Sequence, residues 1–444
     1  MMNRSKKKLV KSRRRLETKF LSLLKKDGMR RRSITKKRSK KMKRDGKKYI
    51  DNIHGVIEYF KSQLKEDGNL NRTEDLLPTT VDLYKEFFEK FRNIPKIVIP
   101  TSLNITKFNA DKPLFDHINR ELWTDIEKQM KEGDTYNCEI YIDKKIKISI
   151  STGKSDDEKI VKEYLENIIF WLHVVNQYAT DKCSDSTLNI HLLLSDLKKV
   201  LPSGECREST CVVKNKNVNT GYSVKCRNIV IYRKEEWMKV FIHETIHNYG
   251  LDFSFVHQEE EETILNLFGI KKRINVRLYE AYTESWARMI HSMLLAYQDE
   301  KDNLIDFINI ADMNIRLERI NGYFQTCKII KYMELDQYMN DDMNNLHTYT
   351  EDTSNLSYYF IVCILYSDYQ NYIKWCRENN KINILQFDNS TNNQQSKFVA
   401  FINKKKQSDE FKNKIKYFST KFFNIVNDDY FHKYMRKSLL EKRV

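Results

Sequence analysis

The chain has 444 residues, 40% of them hydrophobic and 12% aromatic, so it carries enough apolar side chain to bury a core and too much to stay disordered. Only 11 Gly and 5 Pro punctuate it, which favours a helix-rich body with a small sheet. The net charge of +17 is concentrated in residues 1–48, where 23 Lys and Arg face only Glu17, Asp27 and Asp45; that segment carries +20, and the rest sums to −3 and is nearly neutral.

Residues 1–48 read as a basic arm. Runs such as Lys6-Lys7-Lys8 and Arg13-Arg14-Arg15 repel one another and cannot bury apolar surface, so the arm is expected to be disordered when free. It could bind nucleic acid or an acidic surface, act as a nuclear address, or simply be solvated. No apolar run approaches the ~20 residues that span a bilayer, and Phe20 to Leu24 is too short for a signal-peptide core.

A mixed helical region is predicted over 49–135, broken by Pro78, Pro95, Pro100 and Pro113, with Lys96 to Ile99 as a short strand. The central core is expected over 136–300. Cys138 to Asp143 and Lys145 to Ile150 alternate polar and apolar residues around a turn, a hairpin signal. Asp156 to Tyr178 shows the three-and-four spacing of a long amphipathic helix opened by Ser155, Asp156 and Asp157. Leu188 to Leu194 and Asn228 to Tyr232 read as strands, the second feeding a helix that begins near Lys234 to Glu236 and ends before Gly250. Beyond Gln258 the signals are almost all helical, including Ile274 to Tyr297 and Ser357 to Glu378, so 301–444 is expected to be a helical region. The fold class is therefore α+β with a mostly helical C-terminal part.

Eight cysteines (138, 183, 206, 211, 226, 327, 363 and 376) show no CxxC pair and fit reduced thiols better than a disulfide framework. Cys206, Cys211 and Cys226 are a weaker option for a structural metal site, since no His completes a known spacing.

The chemistry concentrates in His243-Glu244-Thr245-Ile246-His247, an HExxH motif on a segment that reads as helix. Residues four apart share a helical face, so both imidazoles can address one ion while Glu244 reaches its water. Chance alone would produce HExxH in a small fraction of chains, and two partly buried core histidines beside an incidental Glu is the bland alternative. A third protein ligand is required. The HExxHxxGxxH pattern fails because Phe253 stands where a third His belongs, and Asp252 is one residue out of register. Glu280 and Glu284, four apart on a largely apolar helix, supply the other solution: Glu280 as the ligand and Glu284 as the group that accepts a hydrogen bond from a ligand His. The reverse assignment, or pairing of these acids with Arg277 or Arg288, stays open. The acidic run Glu259 to Glu262 opens a helix and reads as structural.

HETIH followed, 33 residues after His247, by EAYTE resembles the gluzincin peptidases, and the stretch from Asn228 through HETIHNYGLDF with Ser357-Tyr358-Tyr359 resembles a group of metallopeptidases encoded by giant DNA viruses. The likeness spans roughly 138–380. It implies a zincin-like catalytic domain, a Zn²⁺ ion held by His243, His247 and Glu280, Glu244 as general base, and a protein or peptide substrate. It also implies that Asn228 to Arg233 is the edge strand that aligns substrate and that Asp156 to Tyr178 is the backing helix. The oxyanion-stabilising residue of the family has no motif here; Tyr358, Tyr359 and His347 are candidates by position. An intracellular setting (cytoplasm or nucleus of a host cell) or a virion is expected, without secretion or membrane insertion. The rival expectations are a peptidase tethered to nucleic acid through residues 1–48, and a catalytically silent zincin-fold structural or packaging protein.

Overall fold

The computed structural model describes residues 76–441 apart from 101, 112, 154–157, 181–185, 203–211, 258–259, 336–342, 344, 391–392 and 423–432. The basic arm, Ser155 to Asp157, Cys206 and Cys211 therefore lie outside the described residues, as do Gln258 and Glu259.

The architecture is mixed α+β. In chain order the elements are α1 (Pro78–Arg92), β1 (Asn104–Thr106), α2 (Arg120–Lys131), β2 (Thr135–Tyr141), β3 (Lys145–Thr152), α3 (Glu158–Val175), β4 (Leu188–Leu194), β5 (Gly221–Val224), β6 (Asn228–Ile231), α4 (Trp237–Asn248) and α5 (Glu261–Leu267). Then come α6 (Leu278–Asp299), α7 (Leu304–Tyr332), a π-helical turn (Leu356–Ile361), α8 (Val362–Ser367), α9 (Tyr369–Asn379), α10 (Gln394–Lys406) and α11 (Asp409–Tyr417).

The six strands form one sheet in the order β1-β2-β3-β4-β6-β5, with β3, β4 and β6 mutually parallel and the remaining pairs antiparallel. Alternation assigns the two faces. Ile146, Ile148 and Ile150 of β3, Leu188, Ile190, Leu192 and Leu194 of β4, and Ile229 and Ile231 of β6 point into the main core with the long helices. Leu193 and Val230 point the other way, into a smaller cluster closed by Phe115, Ile126 and Met130. Lys96 to Ile99 is not a strand: Pro95 and Pro100 bracket it without backbone N–H groups, and the pairing falls to Asn104–Thr106 instead.

The predicted hairpin, the long amphipathic helix and the two parallel strands have counterparts in β2 and β3, α3, β4 and β6. Two long helical predictions shift. The helix expected from Ile274 starts at Leu278, and the one expected over Ser357 to Glu378 is broken at Asp368, whose φ of −136° leaves the helical range and whose carboxylate caps α9 through Asn371 N. The strand Asn228 to Arg233 is not an edge: β6 pairs β4 on one side and β5 on the other, so the edge is β5. Among the described residues no helix is long and apolar enough to cross a membrane. Cys138, Cys327, Cys363 and Cys376 are free thiols, but Cys226 is disulfide-bonded, which corrects the expectation of reduced thiols at that position.

α6 runs through the centre of the molecule with nearly every residue buried, including His291. Among the described residues neither ring nitrogen of His291 has a hydrogen-bond partner. Burial first, then the nearby Lys239 ammonium, push its pKa down to about 3. The unfolded chain therefore binds one more proton than the folded one between about pH 3 and 6.5, and stability should fall as pH drops through that window by about 1.4 kcal/mol per unit. Urea unfolding at pH 6.5 and 5.0 should show this loss in the wild type and a loss smaller by about 2 kcal/mol in His291→Leu; equal losses would remove His291 as the cause.

Candidate metal centre

α4 carries the HExxH motif and is held on three sides. Trp171 of α3 donates its Nε1 to Thr245 Oγ1 at 2.6 Å, fixing the face opposite the histidines. At its start Glu236 adopts a left-handed φ of 58°, so the helix begins at Trp237. At its end Gly250 has φ +62°, and the bonds Gly250 N to His247 O (3.0 Å) and Leu251 N to Ile246 O (3.0 Å) close a Schellman turn. That turn swings the chain back toward the helix and delivers Asp252 to His247.

Three side-chain atoms from two helices converge. His243 Nε2 and His247 Nε2 are 3.1 Å apart, and each lies 3.2 Å from Glu280 Oε2 of α6. An ion held tetrahedrally at about 2.0–2.1 Å separates its ligand atoms by about 3.3 Å, so this triangle has the dimensions of three-quarters of such a shell. Among the described residues it is the one cluster of His, Cys, Asp or Glu with metal-ligand spacing.

The outer nitrogens of both rings face carboxylates. Asp252 Oδ2 lies 2.6 Å from His247 Nδ1, and Asp252 is itself fixed by Ser254 Oγ (2.9 Å) and Thr283 Oγ1 (3.2 Å). Glu284 Oε2 lies 3.1 Å from His243 Nδ1, and Glu284 also takes Lys239 Nζ (3.0 Å) and Arg288 Nε (2.8 Å). A ring that donates Nδ1–H to a carboxylate, as His247 can to Asp252, presents a bare Nε2, the form a metal requires, whereas His243 Nδ1 lies near Glu284 without hydrogen-bond geometry. Glu284 is thus engaged by three cationic or donor groups behind the site, while Glu280 stands at the point of convergence. Asp252 was noted in the sequence only as a failed third-ligand position; its contribution depends on the turn at Gly250, for which the glycine itself was the legible signal.

Electrostatics follow from this packing. Burial works against a charged His247, but Asp252 and Glu280 outweigh it and hold the ring well above the usual imidazole range. Burial likewise opposes the Glu280 carboxylate, yet His247 and His243 bring it well below the ordinary range. A proton on His247 would set positive charge between Asp252 and Glu280. A bound metal would displace that proton.

The triangle opens onto a cleft of about 660 Å³. Glu244, beside His243 and 6% exposed, lines it, and among the described residues its carboxylate makes no hydrogen bond or ion pair. Tyr358, on the π-helical turn, lines the same cleft with its ring centroid 6.0 Å from that of His243. The other two tyrosine and histidine candidates lie elsewhere: Tyr359 donates its hydroxyl to Met435 O at 2.8 Å, and His347 Nδ1 contacts Gly269 O at 2.9 Å. The edge strand β5 supplies the cleft wall at Gly221 to Val224.

Comparison with family models, with curated proteins and with solved structures returned no match to this chain.

Competition between proton and metal gives a direct test. Affinity for a divalent transition metal, measured against a chromophoric chelator, should fall between pH 7.5 and 6 as His247 holds its proton. Asp252→Asn should weaken binding about 10- to 100-fold with little change in fold. A pH-independent affinity, or no effect of Asp252→Asn, would contradict the assignment.

Proposed function

We propose that the protein is a zinc-dependent metallopeptidase of gluzincin type, with a zincin-like core around α4, in which His243, His247 and Glu280 hold Zn²⁺ and Glu244 is the general base. The observation that carries this reading is the pairing of a converged His-His-Glu triangle with an adjacent, unengaged carboxylate, both facing one cleft. Two imidazole nitrogens and one carboxylate oxygen are donors that zinc accepts, and the cleft side leaves a fourth position for solvent or substrate.

Bound there, zinc would polarise a carbonyl and lower the pKa of a water to about 7. Glu244 then takes a proton from that water as its oxygen bonds to the carbonyl carbon. The same carboxyl returns the proton to nitrogen as the C–N bond breaks, so the reaction consumes one water and releases a carboxylic acid and an amine, which exchange a proton to become carboxylate and ammonium. Tyr358 is a suitable donor to the carbonyl oxygen as negative charge gathers on it. Burial first, and then the Glu280, Glu244 and Glu284 carboxylates, hold the Tyr358 phenol well above the usual range, so it keeps the proton it must donate.

The substrate class follows from the cleft wall. Among the described residues β5 pairs only β6, which leaves the other side of the strand to add an extended peptide. Val224 (39% exposed) and Phe255 (56% exposed) line the same cleft and offer apolar surface to a substrate side chain. A purely structural role for the site leaves an unengaged carboxylate beside two histidines without a purpose.

Incubating the zinc-loaded protein with a peptide library in ¹⁸O water should place label in newly formed C-termini. Glu244→Gln should keep the metal and lose about 10²–10⁴-fold in rate. A variant that cleaves as fast as wild type, or a wild type with no cleavage at all, overturns the peptidase reading.

A further inference from the structure

Behind the cleft, away from the two histidines, lies a buried group of charges that the hydrolytic reading does not use. Segment 433–441 threads into it. Lys437 N (3.3 Å) and Ser438 N (2.6 Å) donate to Glu236, the residue that starts α4. Ser438 Oγ (2.6 Å), Leu439 N (2.9 Å) and Leu440 N (2.9 Å) all donate to the single oxygen Glu318 Oε1 of α7. Asn321 Nδ2 donates to Lys437 O at 3.2 Å. These bonds fix the backbone of residues 437–440 and leave the Lys437 side chain one place to go.

That place is the face of Tyr358. Lys437 Nζ sits 3.1 Å from the ring centroid; burial pushes its ammonium well below the usual range, while the Glu284 and Glu280 carboxylates favour the charged form that an aromatic face attracts. The opposite constraints on Tyr358 come from the metal centre: its hydroxyl side faces Glu280, and Arg288, the partner of Glu284, donates Nη2 to Tyr358 O at 3.1 Å.

We propose that Lys437, delivered by segment 433–441, is a positioning residue that clamps the Tyr358 ring against Glu280, so that this segment is part of the metal centre. The inference rests on the metal-site reading for its consequence and on the ring contact for its mechanism. Lys437→Met keeps the apolar stem and removes the amine that sits on the ring. Lys437→Arg keeps a cation that can stack on the ring.

The test is a double-mutant cycle on the full chain with Lys437→Met and Tyr358→Phe, read as Zn²⁺ affinity by chelator competition and as kcat and KM for a cleaved peptide. Each single variant should weaken Zn²⁺ binding about tenfold. Together they should weaken it no further than either alone, and Lys437→Arg should recover most of the loss. Lys437→Met should lower kcat about tenfold and change KM by less than about twofold, with no added loss in the Tyr358→Phe background. Additive losses, or unchanged Zn²⁺ affinity in a Lys437→Met variant that melts like wild type, overturn the proposal. If Lys437→Met melts too low to assay, Lys437→Arg against Lys437→Gln decides on the same readouts: recovery in the Arg variant alone supports the clamp, and equal loss in both overturns it. Absence of peptidase activity in the wild type would remove the hydrolase reading while the affinity cycle still judges the clamp.

Discussion

Three electron-rich atoms held within 3.2 Å of one another inside a protein repel unless something positive lies among them, and the rest of this fold is arranged to keep them there. His243 and His247 cannot turn away, because Glu284 and Asp252 stand against their outer nitrogens. Glu280 cannot retreat, because α6 is buried along nearly its whole length. Helix α4 cannot slide, because Trp171 fixes its back, Gly250 turns its end and Glu236 is tied into the charge group at its start. On the proposed reading the cluster is a preorganised cation site.

The surrounding charges are paired rather than scattered. Lys199 reaches Glu236 at 2.6 Å, Lys239 reaches Glu284, and Arg288 bridges Glu284 to the backbone of Tyr358. Buried ion pairs contribute little net stability over apolar packing, yet removing one partner leaves an isolated charge and is costly. Such a network specifies geometry more than it stabilises. Here the geometry it specifies is the approach of α4, α6, the π-helical turn and segment 433–441 to one point.

Legibility in the sequence tracked locality. HETIH could be read because the two histidines are one turn apart on one helix, and the helix needed no distant partner to be inferred. The hairpin and the later strands could be read because Ile146, Ile148 and Ile150, like Leu188 to Leu194, display the period of two that a sheet with a buried face imposes, whereas their parallel pairing is made by the fold. Glu280 reads as the ligand and Glu284 as the group behind a histidine, with the reverse open, because two carboxylates four apart share a helical face; the fold places Glu280 at the point of convergence. Asp252 escaped because its role is made by a left-handed glycine, not by helical spacing. β5 escaped because Gly221-Tyr222-Ser223-Val224 has little strand character and owes its form to β6; Asn228 to Ile231, the more apolar run, lies inside the sheet. Lys437 was beyond reach, since nothing in 78 residues of intervening sequence links it to Tyr358.

The central claim is that two imidazoles and the Glu280 carboxylate share one cation. X-ray absorption at the zinc edge of the metal-loaded protein reads that shell directly. The account predicts one zinc per chain with two imidazole nitrogens and oxygen donors at about 2.0–2.2 Å and no sulfur. A shell containing sulfur at about 2.3 Å, or a protein that fails to retain zinc at neutral pH, would contradict it.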